Sequence, residues 1–417
     1  MTTKQPESRV WLNGSVYSPA DPFATGILMT GATVAWVGSD DAARAMAGPG
    51  VTPGDLRAAV VTPAFVAHHR LHHAPGRSSR AGGGTAHPAP HGAEGTGGTT
   101  PGGAQAAASP FAGLPRTAQG YGAVELLGPD ASALAAAAER VAADGAHPLP
   151  VLVRAAVEGA DIDVSTLPSP ALGFDAATVP GPTGVREAAR QHLVACTRAG
   201  IQAVLVLPTP EDGDHGTGEG NGTAAASSEV LDAVLDAADA ARSETGERAF
   251  RARGHRLVEV AALDDAQCAR LATLGLTVSC RPGAAPLREL ARAGVPVTLL
   301  CDDPNPWTAV KAALEAPDER MRTSARAAFL ALTRGAWRAH PGGPSLAGQL
   351  VPGAEATLAV WDAESVVVQQ AQGTGASWST DPRARTPVLP ALDDARLPRC
   401  EATVVAGVLV SGAAPRP

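Results

Sequence analysis

The feature that most constrains this chain is a rhythm in its second and third quarters. Short apolar runs rich in Val, Leu and Ile alternate there with longer stretches of helical periodicity. The runs are PVLVRAAV (150–157), ALGFDAATV (171–179), IQAVLVLP (201–208), RLVEVAAL (256–263), LTVSCRP (276–282) and PVTLLCDD (296–303). Helices are predicted over 130–144, 184–199, 228–243, 264–274, 285–294, 307–315 and 322–338. Strands and helices that alternate in this way form βα units around a parallel sheet. The run ending in VVTPAFVA (60–67) makes a seventh strand, and GAVELLG (122–128) is a candidate eighth. The predicted fold class is α/β, a (β/α)8-type barrel, complete or incomplete.

The two ends of the chain read differently. RVWLNGSVYSP has Asn13-Gly14 between two β-rich runs, a hairpin signal, and GILMTGATVAWVG repeats the form around Gly31. DDAARAM (40–46) is a brief helix. After about residue 348 the helices stop, and LVPGAEATLAVWD, SVVVQQ and CEATVVAGVLVSG read as strands, the last turning at Gly407. The economical reading is a composite β-sandwich from residues 1–62 and 348–417, appended to a barrel domain of residues 63–347. Two segments, 74–120 and 209–228, are Gly, Ala, Pro, Ser and Thr with little to bury, and disorder is expected for both.

Composition narrows the partners. The net charge is −8, with no basic block, which argues against nucleic acid and an anionic membrane surface. No run of 18 apolar residues appears, nor a signal-peptide pattern. Five dispersed cysteines without a CxxC pair suit a reducing compartment, so a cytoplasmic protein is expected.

Several stretches resemble the amidohydrolase superfamily, in particular its imidazolonepropionase-like and N-substituted formamide deformylase-like members. VVTPAFVAHH resembles the family's entry into the barrel, of form VTPGFVDxHxH. HRLVEVAAL is similar to its HRIEH-type strand, LLCDDPNPW to its late GSDxP…DPW strand, and LVPGAEATLAVWD to its return into the sandwich. The resemblance implies a hydrolase of non-peptide carbon–nitrogen bonds in a small molecule, acting through metal-activated water. It implies a divalent metal, zinc first, and a homodimer as a common assembly. The family's ligands are a His-x-His pair, in some members a carboxylated lysine, two further histidines and a late aspartate. Residues i and i+2 of a strand share a face, so His-x-His can aim two imidazoles at one ion, which lowers the pKa of bound water to about 7.

Laid residue by residue onto that pattern, the chain is short of donors. His69 takes the first histidine and Asp302 the catalytic aspartate, but the second histidine falls on Leu71 and the preceding aspartate on Ala67. The next histidine falls near Val206, the following one on Glu259, and neither Lys4 nor Lys311 lies on a barrel strand. His72 and His73 are weaker candidates; a helical turn over 68–73 would pair His68 with His72 and His69 with His73.

Other residues have structural readings beside the functional ones. Asp302 and Asp303 read as a catalytic base and its neighbour, or as the N-cap of helix 307–315, with Asn305 as the competing cap ahead of Pro306. Glu259 reads as a ligand, or as a buried carboxylate paired with Arg256 or Arg281. His255 is expected at a strand start near solvent, His192 on a helix, and Cys280 and Cys301 as small core residues. Two functional classes therefore stand: a metal-dependent hydrolase acting on a small molecule, and a catalytically inactive relative serving as a binding or regulatory module or a decaying paralogue, with no metal.

Overall fold

The fold is taken from a computed structural model, which describes residues 7–48, 50–71, 113–155, 162–209, 222–372, 375–379, 387–392 and 396–417. Its centre is an eight-stranded sheet whose strands follow chain order. Numbered as barrel strands one to eight, these are Phe65–Arg70, Tyr121–Gly128, His147–Arg154, Ala171–Asp175, Gln202–Val206, Arg256–Val258, Thr277–Cys280 and Val297–Leu299. Every adjacent pair is parallel. GAVELLG is thus a full member, the second strand. Strands one and eight meet through a backbone hydrogen bond just past the eighth strand, from the His68 N–H to the Cys301 carbonyl at 2.8 Å. The barrel has eight strands and a seam with no ladder along it.

The helices form where alanine-rich periodicity and caps coincide. Ala131–Ala143 starts at Asp130, whose carboxylate accepts from the Ala133 N–H. Asp265–Leu274 starts with a capping box between Asp264 and Gln267. Gly181–Ala199 and Gly222–Thr245 pack side by side outside the fourth and fifth strands. The second of these begins inside the segment expected to be disordered, because TAAASSEVLDAVLDAA has strong helix formers once it leaves the glycines. Residues 113–120, also assigned to a disordered stretch, hold the short helix Thr117–Gln119; the remainder of both low-complexity segments lies outside the described residues.

The helix predicted over 322–338 is two helices, Ala325–Ala331 and Arg334–Ala339. The Thr333 hydroxyl donates to the Phe329 carbonyl at 2.8 Å and competes with the helical ladder. Gly335 lets the chain turn sharply, since a Cβ there would sit 2.9 Å from the Leu330 carbonyl oxygen.

The hairpin expected at Asn13-Gly14 does not form. Ser8–Leu12 pairs instead with Gly26–Thr30, while Ser15–Val16 pairs with Val60–Pro63 in a different sheet. Asn13, with φ of 59°, carries the chain from one sheet to the other. The Gly31 turn forms as expected between Gly26–Thr30 and Thr33–Gly38. Segments from both ends share one sheet: Val60–Pro63 lies antiparallel to Leu358–Asp362, which pairs in turn with Arg399–Val405. Val16, Ile27, Val61, Leu358 and Val404 meet between the two sheets.

Val60–Pro63 runs almost directly into barrel strand one, so a single stretch of chain joins sandwich and barrel. Phe65 is the rivet at that junction. It makes edge contacts with Trp307 (5.1 Å between centroids), Phe329 (5.4 Å) and Trp361 (5.7 Å), and all four rings are buried.

Two histidines help fasten strands four to six. His192 donates from Nε2 to the Leu172 carbonyl at 2.9 Å. His255 was expected near solvent but is buried, because its flanks, Phe250 and Thr197, close over it. Its Nδ1 accepts from the Ala203 N–H at 2.9 Å, so Nε2 carries the proton toward Thr197 Oγ1. Burial lowers both imidazoles, His192 to about 4 and His255 to about 3.

Two outcomes follow. Phe65→Ala should cost about 3–5 kcal/mol, read as a lower urea midpoint at an unchanged slope. The two imidazoles are neutral in the fold and take up protons on unfolding, so their contribution is complete above about pH 6.5 and declines as pH falls toward 4 and then 3. Urea midpoints measured from pH 8 to pH 5 should fall below about pH 6.5, and His255→Gln should flatten that fall.

Candidate functional site

In a barrel of this type the chemistry sits at the C-terminal ends of the strands, so the side chains of interest are those that alternate toward the axis there. On strand one the alternation is set by its neighbour. Val66, His68 and Arg70 register with Ala123, Glu125 and Leu127, while Ala67 and His69 register with Val124 and Leu126, which pack with the surrounding helices. The axial residues are therefore His68 and Arg70, and His69 stands on the helix side of the strand.

Glu125, on strand two, is the charged centre of the barrel. It is wholly buried, and Arg256 reaches it from strand six across the interior, Nη2 to Oε2 at 2.7 Å. His68 donates from Nδ1 to the same oxygen at 2.8 Å. His340, beyond the last helix, brings Nδ1 to 3.7 Å from Oε1. Burial alone would raise the carboxyl, but Arg256, His340 and His68 together hold it well below the usual carboxylate range. The expectation that Arg256 might serve Glu259 is corrected: Arg256 crosses to Glu125, and Arg281 takes Glu259.

Above this ionic layer lies hydrocarbon. Leu127, Val151, Val153, Val204, Val206 and Val258, from strands two, three, five and six, and Leu300, just past strand eight, pack against one another inside the barrel. Val206, where the family pattern places a histidine, is part of this plug.

The mouth carries pairs of opposite charge. Arg70 donates to Asp175 at 2.7 Å, joining strands one and four. Glu259 sits just past strand six with φ of 61°, which ends the strand three residues after it starts. Its buried carboxylate accepts from Arg281 at 3.1 Å. Asp302 is half-buried and lies 3.7 Å from His69 Nδ1, too long for a hydrogen bond. His69, with help from Arg281 and His68, holds the Asp302 carboxyl below its usual range. Asp302 and Asp303 do not cap the following helix, Trp307–Glu315; Asn305 Oδ1 accepts from the Trp307 N–H at 3.1 Å.

The two cysteines near the mouth are core residues. Cys301 Sγ lies 3.2 Å from the Tyr121 hydroxyl, and burial pushes the thiols of Cys280 and Cys301 up to about 12. Neither supplies a thiolate nucleophile near neutral pH.

The described residues do not fit a divalent metal. His69 and Asp302 come together, but Leu71 and Val206 offer no donor, and Glu259 is engaged by a guanidinium. No group of three or more His, Cys, Asp or Glu side chains converges on one point among the described residues. His72 and His73 lie outside the described residues. The concavity at the mouth, between Arg70, Leu127, Val153, Arg154 and Asp175, is about 170 Å³.

The Glu125 cluster was not anticipated as a unit. Its one signal in the sequence is a lone glutamate inside the apolar run GAVELLG, whose partners His68, Arg256 and His340 are far from it in the chain.

Comparison with known proteins agrees with this architecture. Residues 220–411 match the model of an amidohydrolase family. No curated protein matches the chain. Among solved structures, a triazine hydrolase variant is similar at 16% identity and a TM-score of 0.58, covering 99% of this chain and 96% of that one. An amidohydrolase from a Sargasso Sea environmental sample is similar at 18% identity and a TM-score of 0.57, covering 97% of this chain and 93% of its own. An atrazine chlorohydrolase from Arthrobacter aurescens, solved with zinc, is similar at 16% identity and a TM-score of 0.56, covering 98% and 96%.

Glu125→Gln should cost about 3–5 kcal/mol, because it leaves Arg256 charged and buried without its counter-ion. Glu259→Gln, whose partner Arg281 is largely exposed, should cost about 1 kcal/mol or less; matched urea melts compare the two. The late strands and the return into the sandwich match the amidohydrolase family model over residues 220–411, and the chain as a whole shares the fold of those hydrolase structures.

Proposed function

We propose that this protein is a non-hydrolytic member of the amidohydrolase superfamily, a binding or regulatory module built on a barrel that no longer supports metal-activated water. The observation that carries this reading is the plug of Leu127, Val153, Val206, Val258 and Leu300 beneath the mouth. A zinc site needs three or four nitrogen, sulfur or oxygen donors around one point, and a structural site contributes about 10–16 kcal/mol when complete. Aliphatic side chains at the inward positions supply none of it. The ion pairs Arg70–Asp175 and Glu259–Arg281 also occupy the carboxylates that would otherwise be available.

A second reading, hydrolysis of a non-peptide carbon–nitrogen bond in a small molecule, has one specific support. Asp302 and His69 lie together at the strand ends, and the His69 Nδ1 is buried without a hydrogen-bond partner. A metal held there would be a divalent ion, zinc first, with Asp302 as the proton acceptor. The cytoplasm is the proposed compartment: all five cysteines are free thiols, and no helix among the described residues is long and apolar enough to cross a membrane. A homodimer is the proposed assembly, on the family resemblance alone.

Metal content separates the two readings. Protein purified from cells grown with added zinc, manganese or iron should retain a small fraction of an equivalent after dialysis. It should show no turnover on a panel of amides, cyclic ureas and aryl amines. Metal near one equivalent, lost together with turnover in His69→Ala, would establish the hydrolase instead.

A further inference from the structure

Away from the mouth, the barrel wall has a cavity of about 300 Å³ at its seam. It lies outside strand eight, between the helix Leu287–Ala293 and the broken pair Ala325–Ala331 and Arg334–Ala339. The outward residues of strand eight, Val297 and Leu299, form its floor. Its helical walls carry alanines at 291, 327 and 331, and that shortage of side-chain volume is what leaves the space open. The volume reaches the lower end of the range for small-molecule pockets, about 300–1,000 Å³, which the mouth concavity does not.

Apart from the Thr323 hydroxyl, the polar side chains at this cavity are two arginines. Arg334 and Arg338, one helical turn apart, line its edge. Neither has a carboxylate partner among the described residues, in a protein whose other arginines are repeatedly paired. The Arg334 Nε is buried without a hydrogen-bond partner. Desolvation, and then the charge of Arg338, lower the Arg334 guanidinium from its ordinary value. An uncompensated pair of guanidiniums over an aliphatic hollow is complementary to a carboxylate on an apolar tail: the head can accept forked hydrogen bonds, and the tail can lie on Val297, Leu299 and Leu287.

We infer that this cavity binds a small amphipathic carboxylate, an acyl or aryl acid of medium length, with the acid on Arg334 and Arg338 and the tail against strand eight. The site is separate from the barrel mouth, so its test does not depend on the metal question.

The probe is decanoate below its micelle concentration, titrated calorimetrically into the full chain, with decylamine and acetate as controls. Saturable binding of one decanoate is expected, with both controls at least about tenfold weaker, since one reverses the charge and the other lacks the tail. Arg338→Gln, an exposed position that should leave folding intact, is expected to weaken decanoate severalfold, and Arg334→Gln with Arg338→Gln to weaken it at least about tenfold. Ala331→Leu, which fills the hollow, should abolish binding without lowering the melting temperature. Equal binding of decylamine, binding unchanged in Arg338→Gln and Ala331→Leu, or no saturation at all would each overturn the proposal.

Discussion

A carboxylate in the middle of a parallel barrel must be neutralised where it stands, or the barrel cannot close around it. Glu125 is that carboxylate, and Arg256 reaches it from the opposite wall, with His68 on the same oxygen. The pair spans the interior between strand two and strand six, so it ties together halves of the sheet that share no backbone ladder. The seam beside it is thin, a single described backbone hydrogen bond from His68 to Cys301. His68 therefore takes part in both devices, the ionic tie through its ring and the seam through its N–H. Removing either partner of such a pair is far more costly than the pair's net contribution, because the remaining charge has no water to turn to.

The layer above the tie is hydrocarbon. Barrels of this type are filled by stacked layers of side chains contributed by alternate strands. Where a metal enzyme needs its top layer to be imidazole and carboxylate, this chain packs Leu and Val. That layer favours stability, since each buried aliphatic side chain contributes about 1.5–3 kcal/mol. At the rim Arg70 pairs with Asp175 and Arg281 with Glu259, and His69 lies beside Asp302.

Much of the fold was legible because it depends on local patterns. Alternating strands and helices and the Gly31 and Gly407 turns are short-range features. The Asn13-Gly14 hairpin failed because a left-handed turn fixes only the direction of the chain; the partner of Ser15–Val16 was Val60–Pro63, which no local signal names. The single helix over 322–338 failed because Thr333 and Gly335 weaken the ladder at the same place, an effect that periodicity averages away.

The succession of βα units and the β-rich ends were determined by the sequence itself, since each follows from residue type and spacing; that GAVELLG completes the barrel's set of eight strands was decided by the structure. Only the tertiary structure decided which face each side chain takes. His69 occupies the expected position on strand one, yet its register with Leu126 puts it on the helix side, and His68 holds the axial place. The same is true of Glu125, Arg256 and the seam-cavity arginines Arg334 and Arg338, which have no carboxylate partner among the described residues. Their partners, or lack of them, are set by closure of the sheet, which brings together residues far apart in the chain.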